Sequence, residues 1–329
     1  MVLRVGFAGA GFIAGVHADV LEKLSDVEVT AFVEPHEGRG REFASKTGAR
    51  PVSSLDALLR ECDAVYVCVP NALHAEVAVT ALEAGKHVFS EKPMATTLAD
   101  AQRVHAAAQR SEGVYQVGFN RRFAPVYQAV KERIETGELS PRWAHMKMNR
   151  GELQQPPWVA DTSLTGGFLY ETPIHALDLA TWLFGPVEEI VCRAAQTASD
   201  QLDDFAMLLT FASGLTATFC SSGHTTWLFP FERVEVYGEY AIAVTDEMER
   251  VTFQDGIGAA SVTRDVTRLP MPERWGYAPA DEIFVAACAG LGPPAVSADD
   301  GLRSIELVDA CYRAAASRET VRINHEGRE

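Results

Sequence analysis

The 329 residues are 47 % apolar and 22 % charged, an ordinary globular composition that allows one large or two ordinary domains with a sizeable core. A formal net charge of −16 argues against nucleic acid or an anionic membrane as partner. The six cysteines, Cys62, Cys68, Cys192, Cys220, Cys288 and Cys311, form no C-x-x-C pair and no metal-ligand cluster, so no metal is expected and a reducing cytoplasm is the expected compartment. No signal peptide is expected, and no apolar run approaches the length of a membrane span.

An apolar run, Val2 to Phe7, leads into Gly9-Ala10-Gly11-Phe12-Ile13-Ala14 and then into a helical pattern carrying Ala18, Leu21 and Leu24. Strand, G-x-G-x-x-G/A and helix together make the dinucleotide-binding fingerprint. Gly9 permits the tight turn, Gly11 lets a pyrophosphate approach the backbone, and Ala14 allows close helix–strand packing. The N–H groups at the start of the helix, around Phe12 and Ile13, face the phosphates. A second strand, Val27 to Val33, ends in Glu34, 25 positions past Gly9, where a carboxylate would hold the ribose hydroxyls and repel a 2′-phosphate. NAD is therefore the expected cofactor, with Arg39 and Arg41 nearby keeping NADP as the alternative.

Downstream, helices over 38–47, 54–61, 73–84 and 97–110 alternate with apolar strands over 64–69, 87–89 and 114–119. Such alternation predicts an α/β fold with a parallel, doubly wound sheet over residues 1–120, the Rossmann arrangement. Its ligands sit beyond the carboxyl ends of the strands. Glu34, Asn71, Lys92 and Asn120 each fall just past a strand end and are expected to line one crevice.

Residues 121–329 read as a second, α+β domain. After a helix over 124–136 come runs that alternate by two: 143–150, 189–195, 204–211, 215–222, 233–237 and 250–254. They predict a large, mostly antiparallel sheet, with a hairpin turn at Ala212-Ser213-Gly214. Late helices over about 280–290 and 298–317 are expected to pack back on the first domain.

Three groups carry chemistry. Lys92 lies between Glu91 and Pro93, and Pro93 biases it toward an extended backbone. Gly166-Gly167 precedes Glu171, His175 and Asp178, spaced i, i+4, i+7 on an amphipathic helix that stops at Gly185-Pro186. Pro173 is a candidate first helical residue with Thr172 as N-cap, which would leave Glu171 just outside the helix. Asn120-Arg121-Arg122-Phe123 follows the last strand of the first domain, where an anion or polyol could be gripped. The chemistry that fits is hydride transfer: His175 as base for a hydroxyl proton, Lys92 as cation for the developing alkoxide, and Glu171 or Asp178 orienting the imidazole. A zinc reading of Glu171 and His175 is weaker, because no third ligand stands at a usual spacing. Arg121, Asn149, Trp158 and Asp178 are candidate substrate contacts. His17, His36, His87 and His145 read as structural or exposed.

Together the fingerprint, Val69-Pro70-Asn71 with His74, Glu91-Lys92-Pro93, Gly118 to Phe123, and Gly166-Gly167 through His175 and Asp178 resemble the Gfo/Idh/MocA oxidoreductases, relatives of inositol and glucose–fructose dehydrogenases. The resemblance implies a Rossmann domain followed by an α/β domain whose open sheet forms homodimer or homotetramer interfaces. It implies Lys92 and His175 as the catalytic pair, and Pro70, Asn71, His74 and Glu91 around the cofactor. Two departures stand out: Glu171 replaces the family's usual Asp, and the turn after the 124–136 helix reads Gly137-Glu138-Leu139-Ser140-Pro141. The expected activity is NAD(P)-dependent oxidation or reduction at a secondary hydroxyl or ketone of a sugar, cyclitol or related polyol. The alternatives are a redox-assisted, NAD-dependent glycosidase and a nucleotide-sensing regulator without turnover.

Overall fold

The computed structural model describes residues 2–151, 153, 157–226 and 231–323. The chain divides into two compact units, one running to Asn120 and including Gly276–Ile305, the other Arg121–Trp275 with the residues from Glu306 onward.

The first unit holds a six-stranded parallel sheet. Its strands are β1 (Leu3–Ala8), β2 (Val27–Val33), β3 (Arg50–Pro51), β4 (Ala64–Val67), β5 (His87–Ser90) and β6 (Tyr115–Val117), in the order β3-β2-β1-β4-β5-β6. The central strands are buried on both faces, which is why β4 reads as an unbroken apolar run. The connecting helices are α1 (Phe12–Leu21), α2 (Glu37–Thr47), α3 (Leu55–Leu59), α4 (His74–Glu83) and α5 (Leu98–Arg110). Local chemistry starts several of them: Ser54 and Thr97 accept N–H bonds from Ala57 and Asp100, and the His36 ring accepts one from Arg39. Gly48 closes α2 in the left-handed conformation.

A row of rings crosses one face of this sheet. Tyr66 on β4 stacks between Phe7 on β1 (5.1 Å) and Phe89 on β5 (4.8 Å), and Phe284 meets Tyr66 and Phe89 edge-on at 5.6 and 5.5 Å. Phe284 belongs to the helix Tyr277–Cys288, which packs on α1. A division at 120/121 would leave this helix in the second domain. In the structure it belongs to the first unit, where Phe284 covers the rings of Tyr66 and Phe89.

The second unit holds a nine-stranded sheet. Its strands are β7 (Trp143–Met148), β8 (Val187–Ala195), β9 (Asp204–Phe211), β10 (Thr216–Ser222), β11 (Glu232–Tyr237), β12 (Ala241–Asp246), β13 (Arg250–Asp255), β14 (Val262–Asp265) and β15 (Val321–Arg322). The order is β14-β13-β12-β11-β7-β10-β9-β8-β15, and every neighbouring pair is antiparallel except β7 with β10. Alternation places Ala144, Met146, Met148, Phe205, Met207, Leu209, Ala217 and Phe219 on the buried face. Helices α6 (Pro125–Glu135) and α7 (Pro173–Phe184) pack against this sheet. Trp143 and Leu208 remain 42 % and 37 % exposed. Strands β12, β14 and β15 were not legible in the sequence; β14 is exposed throughout and has no burial pattern to show.

Candidate active site

The turn after β1 is built around two glycines with different tasks. Gly9 has φ +92°, and a Cβ there would lie 2.4 Å from the Cys68 carbonyl oxygen. Its N–H donates to Val33, so the turn is wedged between the ends of β2 and β4. Gly11 caps α1 at an ordinary φ of −80°, and a Cβ there would meet nothing within 4 Å. The protein itself gives no steric reason for a glycine at position 11. Space held open beside the first N–H groups of a helix fits a dinucleotide pyrophosphate. Ala14 is fully buried, as close helix–strand packing requires, whereas Phe12 is 82 % exposed at the mouth of the turn. Ile13 follows it in the first turn of α1.

Glu34, just past β2, is fixed before any ligand arrives. One carboxylate oxygen accepts the Ala10 N–H (3.0 Å); the other accepts the His36 N–H (2.8 Å) and the Arg39 guanidinium (2.9 Å). Burial would raise its pKa, but the Arg39 bond and the two backbone N–H groups hold it below the usual carboxylate value. The carboxylate is thus ionised and tied to the glycine turn. Arg39 and Arg41, the residues that kept NADP open, pair with Glu34 and Glu37.

Past β4 and β5 the chain is held from inside. Asn71 is buried, in the short helical turn Asn71–Leu73 after Pro70. Buried His74 sets one ring nitrogen 2.7 Å from the Pro93 carbonyl and the other 2.8 Å from the Val69 carbonyl. Glu91 is also buried, and the Lys92–Pro93 bond is cis. One Glu91 oxygen accepts the Lys92 N–H (3.2 Å), and the other lies 3.0 Å from the Nε2 of His17. Gly118 makes room, since a Cβ there would sit 3.1 Å from that second oxygen. Asn120, past β6, is buried at the end of this unit. His17 reads as structural or exposed in sequence. In the structure it joins Glu91 to Asp281, and a 264-residue separation gives sequence spacing nothing to work with.

In the second unit, Gly166 and Gly167 (φ +84° and +116°) form the loop before Glu171. Tyr312 seals it: its hydroxyl accepts the Leu169 N–H at 3.1 Å and would lie 2.7 Å from a Cβ on Gly167. α7 starts at Pro173 with Thr172 before it, so Glu171 lies outside the helix; Thr172 makes no side-chain cap bond. α7 is not amphipathic: it is buried on nearly every face, and His175 and Asp178 lie within that burial. Glu171 and His175 are 7 % and 5 % exposed.

The two arginines after Asn120 are ion-paired inside this unit. Arg121 donates twice to one oxygen of Glu232 (3.1 and 3.0 Å), whose other oxygen accepts the Tyr127 hydroxyl at 2.6 Å. Arg122 forks onto both oxygens of Asp178 at 2.8 and 2.6 Å. Asp178 is 1 % exposed, with both oxygens on Arg122 in a bidentate ion pair. Arg121 is 3 % exposed. Asn149 is half-buried at the end of β7, its N–H on the Phe231 carbonyl, and Trp158 is 42 % exposed. Among the described residues Asp203, Asp204 and His224 form a possible metal-binding group, but Asp203 accepts backbone N–H bonds from Thr197, Ala198 and Ser199 and so organises its loop. No helix among the described residues is long and apolar enough to cross a membrane.

Two family models match the chain: an oxidoreductase family's NAD-binding Rossmann fold over residues 3–119 and its C-terminal alpha/beta domain over residues 131–323. The inositol 2-dehydrogenase of Rhizobium meliloti is 29 % identical, covering 98 % of this chain and 100 % of its own. The structure of GenD2 from gentamicin A biosynthesis in complex with NAD is similar at a TM-score of 0.85 and 25 % identity, over 98 % of this chain and 97 % of that one. Levoglucosan dehydrogenase in complex with NADH and levoglucosan shares the fold at a TM-score of 0.91 and 20 % identity, over 98 % and 100 %.

The two glycines should separate on substitution. Gly9→Ala forces an alanine into positive φ, at about 1–2 kcal/mol, and drives its Cβ into the Cys68 carbonyl, so the urea midpoint falls sharply. Gly11→Ala leaves the midpoint near wild type and weakens NAD binding by calorimetry. Glu34→Ala weakens NAD far more than NADP, because the carboxylate that repels a 2′-phosphate is gone and Arg39 is released; equal weakening would remove Glu34 as the ribose ligand. Arg122→Ala strands a buried carboxylate and lowers stability by about 3–5 kcal/mol in urea denaturation.

Proposed function

Since the chain belongs to the Gfo/Idh/MocA oxidoreductase family and is an NAD(P)-dependent dehydrogenase acting on CH–OH groups, we propose that it moves a hydride between the nicotinamide and a secondary hydroxyl or ketone of a sugar, cyclitol or related polyol. The observation that carries this reading is the Glu91-Lys92-Pro93 corner. A lysine is anchored there through its own backbone amide, in the unit that also holds the Gly9–Gly11 turn and Glu34. The names of full-length relatives, such as inositol 2-dehydrogenase, support a cyclitol or sugar as substrate.

NAD, when bound, supplies the hydride acceptor. Gly9, Gly11, Phe12 and Ile13 hold its pyrophosphate, Glu34 its adenosine ribose, and Pro70, Asn71, His74 and Glu91 the rest of its crevice. The residues then manage one proton and one charge. His175 takes the hydroxyl proton as the carbinol C–H bond breaks. The Lys92 ammonium stabilises the negative charge growing on that oxygen. Glu171 orients the His175 imidazole, its extra methylene relative to Asp being taken up by its place outside α7. Asn120, Asn149 and Trp158 contact the polyol, while Arg121 and Asp178 keep their neighbours in place through Glu232 and Arg122.

The chain acts in a soluble compartment as a homo-oligomer paired through the half-exposed face of the nine-stranded sheet that carries Trp143 and Leu208. Analytical ultracentrifugation of Trp143→Glu would then show smaller particles than wild type.

Formation of NADH is followed over a panel of inositols, aldoses and sugar acids. Turnover is expected on at least one, with Lys92→Ala and His175→Ala each lowering kcat by roughly 10²–10⁴ while NAD affinity holds. Release of an aryl glycoside's phenol with no net NADH would replace the dehydrogenase reading with a redox-assisted glycosidase.

A further inference from the structure

The mechanism makes no use of the most deeply buried ionic group in the first unit. His17, on α1 just past the glycine turn, is fully buried. Its Nδ1 lies 2.8 and 2.9 Å from the two carboxylate oxygens of Asp281, and its Nε2 lies 3.0 Å from Oε1 of Glu91. The Tyr66 hydroxyl donates to Asp281 at 3.2 Å. Rings surround the imidazole: Phe89 at 5.0 Å, Tyr66 at 5.3 Å and Tyr277 at 5.7 Å between centroids.

A neutral imidazole carries one N–H and one lone pair. Here both ring nitrogens face carboxylate oxygens, so a neutral ring would turn a lone pair against one of them. Only the imidazolium, donating on both sides, satisfies the arrangement. Burial alone would lower its pKa, but the two carboxylates reverse this and lift it to about 10. Burial pushes Asp281 upward and His17 only partly offsets this; in the geometry it is the acceptor of the ring and Tyr66 bonds.

Glu91 passes this constraint on. Its Oε1 is held by His17 and its Oε2 accepts the backbone N–H of Lys92, so the carboxylate bridges a buried cation and the peptide of the lysine. The bridge fixes the plane of the Glu91–Lys92 peptide and hence the point from which the lysine side chain departs. Beyond the lysine, the His74 contact to the Pro93 carbonyl fixes the other side of the corner. Asp281 comes from the helix Tyr277–Cys288, whose apolar residues also cover the ring row, so the same helix completes both the core and this polar chain.

We propose that His17, locked by Asp281, is a positioning residue for Lys92, acting through the Glu91 carboxylate. This rests on the reading of Lys92 as a catalytic residue. The role is mechanical: neither His17 nor Asp281 exchanges a proton with substrate. A bound water cannot replace the ring, because two hydrogen bonds at fixed separation and a full positive charge are all required within an aromatic enclosure.

The test uses the full chain and the variants His17→Gln and Asp281→Asn. Asp281→Asn keeps an acceptor for one ring N–H but removes the charge that sustains the imidazolium, so it tests the same chain if His17→Gln folds poorly. Phe284→Leu, which loosens the ring row and removes no polar group, is the control for simple destabilisation. In steady-state assays both polar variants are expected to lower kcat roughly 10–100-fold, with little change in KM for NAD, as misplacement of a catalytic group does. Phe284→Leu is expected to lower the melting temperature with kcat intact.

A second readout needs neither cofactor nor substrate. Lysines of the apoprotein are reductively methylated with ¹³C-formaldehyde, and the Lys92 resonance is assigned by its loss in Lys92→Ala. His17→Gln and Asp281→Asn should move or broaden that resonance and leave the other lysines in place. In the wild type, ¹⁵N spectra should show the His17 ring as imidazolium at mildly alkaline pH, below its raised value of about 10. An unmoved Lys92 resonance in a folded polar variant, or a kcat loss matched by Phe284→Leu at equal stability, would overturn the proposal. Absence of wild-type turnover on every polyol would instead refute the dehydrogenase reading, while the Lys92 resonance still decides the positioning role.

Discussion

A cation at zero exposure between two carboxylates is costly unless every partner is matched, and the first unit meets that condition with His17, Asp281 and Glu91. Much else is arranged around it. α1 must start where the glycine turn ends for His17 to arrive at this depth. The helix Tyr277–Cys288 must return from far along the chain to bring Asp281. Gly118 must lack a side chain for Glu91 to lie where it does. Removing His17 leaves two buried carboxylates with no cation between them, and removing either carboxylate leaves a buried ring N–H without its acceptor, so the chain of contacts is cooperative rather than a sum of pairs.

The second unit solves its polar problem in the same way with different residues. Arg122 forks onto Asp178 inside a helix that is buried nearly all round, and Arg121 with Tyr127 saturates Glu232 on β11. These pairs hold α7 against its surroundings, and α7 carries His175 in its first turn. A histidine whose backbone is fixed by a helix start, a Pro at the first helical position and a buried ion pair one turn later has little freedom of its own. Rigid support of this kind suits a group that must meet a hydroxyl within hydrogen-bond reach.

The Rossmann sheet was legible because its signals are local. Glycine spacing and unbroken apolar strands each report on a few neighbouring residues. Glu34 and Lys92 were legible as positions for the same reason: each follows a strand end. What the sequence hid is long-range or patternless. Asp281 meets His17 across 264 residues, and no spacing rule couples them. The exposed edge strand β14 has no apolar alternation, and α7 suggested an amphipathic helix because Glu171, His175 and Asp178 are spaced i, i+4, i+7. Burial of Asp178 became visible only with its partner, Arg122.

Hydride transfer from a carbinol carbon is the claim on which the site assignments converge. The most direct measurement is label transfer: the polyol that turns over is supplied with deuterium on the reacting carbon, and the cofactor is recovered and read by mass spectrometry and NMR. The account predicts one deuterium on the reduced nicotinamide, on a single face, with none lost to solvent. Deuterium appearing in water, or a reduced cofactor carrying none, would contradict it.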